Sequence, residues 1–204
     1  MSNPFGFLAR KTRFLNRWHA RRATRVKAVT AFVSSPEPRT IGSFAKGRQL
    51  VAGNYLFAGA LVEAPGVDLW DVNAPDKAFV EALHGFAWMD DLAAVGDAST
   101  LEVGQRWLWS WIDQFGNGHG PGWTPDLTGR RLIRWINHAL FLLRGNEVSQ
   151  SDAFYQSLAQ QTRFLSKRWH AAAPGLPRFE ALTGLIYAGL SLEGMEELAA
   201  PAVA

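Results

Sequence analysis

Apolar residues recur with a helical period through most of this chain, and glycine and proline cut the pattern into segments. At the front, Phe7, Phe14, Leu15, Trp18, Val26, Val29 and Phe32 recur among basic residues, which predicts an amphipathic helix over residues 5–32. Two prolines in residues 34–39 end it. Residues 40–65 hold Gly42, Gly47, Gly53 and Gly59, with Gly66 just beyond, around a Tyr55-Leu56-Phe57 cluster; this suits short extended pieces and turns better than one helix. Helices then follow over residues 76–94 and 98–115, from a start between Thr124 and Thr128 to Arg144, and over residues 151–172 and 179–192. They are separated by Gly96-Asp97, the Gly116–Gly122 elbow, Gly145, the pair Pro174 and Pro177, and finally Gly194. Short connections between helices of this length predict antiparallel neighbours. The chain therefore reads as all-α, a series of antiparallel helical hairpins. A basic helix (residues 1–35) and a Gly-rich irregular connection (36–69) precede a helical body (70–204).

Charge changes this picture at one end. The 204 residues carry a formal net charge of +3. Eight of the 21 basic residues (Arg10, Lys11, Arg13, Arg17, Arg21, Arg22, Arg25 and Lys27) precede the first acid, Glu37, so the remaining 13 face 18 acids. A basic amphipathic helix of this kind suits an anionic membrane surface, nucleic acid or an acidic polymer. Equally, it suits a solvated face that packs on the acidic body of its own protein. No motif points to specific nucleic-acid recognition. With no cysteine there are no disulfides and no thiolate chemistry. The absence of a signal-like N-terminus and of a long apolar run predicts a soluble, cytoplasmic protein.

Candidate chemistry gathers between Trp107 and Leu143. Trp107 and Trp111 share one face of their helix and Trp109 lies apart, which predicts a buried pair. Arg130, Arg134, Asn137 and His138 fall three to four residues apart on the next helix, a polar stripe that either lines a cleft or pairs internally with acids such as Asp90, Asp91 or Asp126. Trp123, beside Gly122 at the elbow, is the candidate for stacking on a sugar ring. No histidine–carboxylate spacing suits a metal and no phosphate loop occurs, so no metal or cofactor is expected.

Three segments together resemble the heparinase II/III family of polysaccharide lyases. They are Trp70 with LHGFAWMDDLA (83–93), Trp123-Thr124-Pro125 with RRLIRWINHAL (130–140), and TRFLSKRWH (162–170) with FEALTGLIYAGLSLEG (179–194). The resemblance implies part of an incomplete α/α toroid, and β-elimination on uronate-containing polysaccharides. That chemistry needs a group to neutralise the uronate carboxylate, a base and an acid. Where the family carries a Gly-Asn-His-type neutralising motif, this chain has Gly175-Leu176-Pro177-Arg178, in which only Arg178 could meet a carboxylate. The later toroid helices and the β-sandwich implied by the family lie outside residues 1–204. The expectation is a lyase-like front portion that binds acidic polysaccharide through Trp123, Arg130, Arg134, Asn137, His138 and Arg178, with no catalytic residue of its own. The alternative is a non-catalytic helical module that uses its basic N-terminal helix.

Overall fold

A computed structural model describes residues 4–203 apart from 28, 30, 35, 37 and 39, and the side chains from residue 7 to 202. Helix makes up 66% of the chain and strand 5%, so the fold is all-α with one small hairpin. The helices are α1 (Pro4–Ala23), α2 (Phe44–Val51), α3 (Lys77–Gly85), α4 (Trp88–Val95), α5 (Ala98–Phe115), α6 (Pro125–Asn137), α7 (Ala139–Leu142), α8 (Val148–Arg168), α9 (Leu176–Ser191) and α10 (Glu196–Val203). No helix among the described residues is long and apolar enough to cross a membrane.

Several boundaries differ from the sequence expectation, each for a local reason. The first helix stops at Ala23 rather than continuing to Phe32. Gln156 of α8 donates its side-chain amide to the carbonyls of Thr24 and Val26, satisfying the chain just past the helix end. Phe32 instead forms an isolated bridge with Leu192, beyond the end of α9. The Gly-rich segment contains α2 and a hairpin of β1 (Asn54–Phe57) and β2 (Ala60–Glu63), turned by Ala58 and Gly59, both at positive φ. The expected helix over 76–94 breaks at Phe86 (φ 60), and the one ending near Arg144 breaks at His138. Helix α5 stands where it was expected, and α6 starts at Pro125, within the expected range from Thr124 to Thr128.

One continuous core draws on all three expected segments, from Ala20 and Val29 through Leu50 and Tyr55 to the helical body. Its centre is aromatic. Phe86 packs against Trp88, Trp111 and Trp135 at centroid distances of 4.7, 6.0 and 5.3 Å. Trp107 and Trp111 are both buried, as their shared face requires. The most intimate helix pair is α6 with α9. There a Cβ on Gly184 would lie 2.4 Å from the Gly129 Cα, so both positions need glycine for the backbones to meet.

Candidate functional site

Helix α6 directs its polar stripe into the protein. His138 Nε2 lies 2.7 Å from Asp90 Oδ1, and Arg134 Nε lies 3.5 Å from the other Asp90 oxygen. Arg130 pairs with Glu180 of α9 at 2.8 Å. Asn137 is half-buried, and its Oδ1 has no protein partner among the described residues. Arg178, at the start of α9, donates to the carbonyls of His170 and Ala172 at 3.2 and 2.9 Å, closing off the end of the preceding helical segment. These four of the six candidate sugar contacts spend their polar groups on the fold itself, and Trp123 makes a fifth.

Trp123 corrects the expectation most directly. It is only 3% exposed. Its indole donates to the Phe115 carbonyl at 2.8 Å, and its ring meets Trp111 and Phe164. No face is left for a sugar. The reason is Arg131, a residue that the polar stripe did not single out. Fully buried, it lies over the Trp111 ring at 4.1 Å and donates to Gln161 Oε1, the carbonyls of His84 and Gly122, and Thr128 Oγ1. Its cation gathers the elbow, α3 and α8 around the tryptophans. Burial draws its pKa down to about 9, so it remains charged at neutral pH. Counting spacings could not separate Arg131 from its neighbours, because the face that it occupies is defined only by the tertiary packing.

An open surface of a different kind lies on α1. A packed helix normally buries its large apolar side chains. Helix α1 does the reverse. The residues turned to the body are small or polar: Asn16, Ala20 and Ala23 are buried, and Asn16 accepts from Arg168 Nε at 2.8 Å. Gln160 adds a contact to the Ala20 carbonyl, and the elbow presses its Gly118 (φ 86) so closely on Ala20 and Arg21 that a Cβ would sit 2.6 Å from their backbone. The opposite face carries Phe7 at 68%, Phe14 at 67% and Trp18 at 47% exposure. Spacings of seven and four residues put these three rings on one stripe. Exposed Arg10, Lys11, Arg17, Arg21, Arg22 and Arg25 flank it, and the Arg22 guanidinium lies 5.5 Å from the Trp18 ring centre. Among the described residues, no α1 cation is within 4.0 Å of a carboxylate. The helix is therefore an aromatic ridge in a field of unpaired positive charge.

No group of side chains among the described residues could hold a metal ion. No family model matches the chain, and no solved structure matches it. The chain is similar to FtsZ-localized protein C of Caulobacter vibrioides, at 29% identity over 160 residues that cover 75% of this chain and 27% of that protein. It spans about a quarter of the length of that curated relative.

Proposed function

We propose that this chain is a helical module that docks a longer protein on an anionic lipid surface through α1. The observation behind this reading is the orientation of that helix, which faces its small residues inward and its aromatic rings and cations outward. Rings of this size enter the headgroup–acyl boundary, while flanking arginines reach the phosphates. Each buried ring is worth about 1.5–3 kcal/mol. Each cation near an anionic surface adds about 1 kcal/mol. The relative's name ties that protein to FtsZ, and by this likeness the docked protein works where FtsZ is. Flotation with vesicles tests the reading. Binding should be much stronger on anionic than on neutral lipid and should weaken, without vanishing, as salt is raised, because the rings hold where the charges are screened. Equal binding to neutral vesicles, or none to anionic ones, would refute it.

A second reading keeps the lyase resemblance, with the chain as one wall of a longer helical toroid. In its favour, α9 exposes Leu176, Phe179 and Leu190, apolar surface suited to further helices. In that reading the wall gives structure rather than sugar contacts, since Trp123, Arg130, Arg134 and His138 are engaged internally. A longer protein containing this region should then release unsaturated uronate, read as ultraviolet absorbance, from an acidic polysaccharide; absence of that product across heparan sulfate, alginate and hyaluronan would count against it.

A further inference from the structure

Alongside the aromatic ridge, α1 and α8 enclose a cleft of about 330 Å³. Helix α1 lines it with Trp18, His19 and Arg22, the chain just past its end with Arg25, and α8 with Arg163 and Lys167, one helical turn apart. Its walls hold four fixed cations and no acid. None of the four is within 4.0 Å of a carboxylate among the described residues. The nearby acids Glu193 and Glu197 line a neighbouring cavity, to which Arg163 also contributes.

We propose that this cleft is a binding site for a multiply charged phosphate group, either a phosphomonoester lipid headgroup or a soluble diphosphate. Arginine forks match phosphate oxygens two at a time. A phosphomonoester carries about −1.5 to −2 charge at neutral pH, so it answers more of the four cations than a single carboxylate can. Gathering those cations costs Coulomb energy in the empty protein, and a polyanion offsets that cost on binding. His19, on the cleft wall, registers part of that field through Lys167 and Arg22. Burial first, and then Arg168, His170, Lys167 and Arg22, hold the His19 imidazole below its ordinary range. The exposed Trp18 ring forms one wall, so a headgroup in the cleft would lie directly beside the ridge. The site goes beyond the docking reading, and rests on it only if the phosphate belongs to a lipid.

The test uses the whole chain and two double variants that each remove two charges. Arg163→Gln/Lys167→Gln alters the α8 wall, and Arg10→Gln/Lys11→Gln alters α1 away from the cleft. Calorimetric titration with pyrophosphate reads a soluble ligand. Flotation with phosphatidate against phosphatidylglycerol vesicles, matched in surface charge, reads a headgroup. A site for soluble phosphate predicts pyrophosphate binding that weakens at least tenfold in the α8 variant and less than threefold in the α1 control. A headgroup site predicts a preference for phosphatidate that only the α8 variant loses. Pyrophosphate binding without any vesicle binding would uphold the cleft while refuting the docking reading. Equal effects of the two variants, or neither pyrophosphate binding nor a phosphatidate preference in the unaltered chain, would overturn the proposal.

Discussion

The indole nitrogen of Trp111 donates to Nδ1 of His84 at 3.0 Å, deep in the core. An accepting Nδ1 carries no proton, so the imidazole is neutral with its hydrogen on Nε2. Burial first, and then the Arg131 cation, push its pKa down from 6.5 to about 3. In the unfolded chain His84 takes up a proton below about pH 6.5, and in the folded protein it does not until about pH 3. Across that window the unfolded state binds more protons, so stability falls as pH falls, by about 1.4 kcal/mol per pH unit for this one group. Unfolding by urea at pH 6, 5.5 and 5 should approach that slope, and His84→Gln should reduce it by about one proton. An unchanged slope in the variant would show that His84 already titrates freely in the native protein.

Arg131 should be among the most costly residues to replace. Its removal strands the Gln161 Oε1 and two backbone carbonyls and vacates the Trp111 face. Unsatisfied buried groups cost about 1–3 kcal/mol each. We expect Arg131→Met to lose about 3–5 kcal/mol by chemical denaturation, and Arg131→Lys to lose at least about 2 kcal/mol because an ammonium lacks the planar fork. A loss below about 1 kcal/mol in Arg131→Met would contradict the role given to this cation.

Asp90 ties α4 to α6 through both His138 and Arg134. Asp90→Ala leaves an arginine and a ring N–H without their acceptor and should cost about 3–5 kcal/mol. Arg134→Ala should cost less, since His138 keeps its partner. Thermal melting of the two variants gives the order directly. If Arg134→Ala were instead neutral in stability but abolished retention on an acidic oligosaccharide, the cleft reading would return.

Much of the fold was legible in the sequence because helix α5 and the Trp107–Trp111 face obey the helical period, and glycine or proline marks most of the boundaries. The break at Phe86 was not, because a non-glycine residue at positive φ is held there by its buried ring rather than by local preference. The candidate site was legible only as composition. Arginines among aromatics announced a charged amphipathic helix, but nothing local says which face meets the body. That choice is made by Asn16, Ala20 and Ala23, whose small size lets α8 and the elbow come close. Trp123 misled for the converse reason: glycines around it suggested an open rim, while Arg131 and the Phe115 carbonyl enclose it.

If α1 is a docking face, its outward aromatic ridge carries the binding, and the double variant Phe14→Ser/Trp18→Ser addresses that directly. Phe14 is 67% and Trp18 47% exposed, and exposed substitutions usually change stability by no more than about 0.5 kcal/mol each. Loss of two inserted rings, at about 1.5–3 kcal/mol each, should lower partition onto anionic vesicles by a hundredfold or more. The decisive measurement is vesicle partition of this variant beside its thermal midpoint. The account predicts a midpoint within a few degrees of the unaltered chain and vesicle binding reduced about a hundredfold. Unchanged binding, or a collapse of the midpoint, would mean that the rings serve the fold and that α1 is not a docking face.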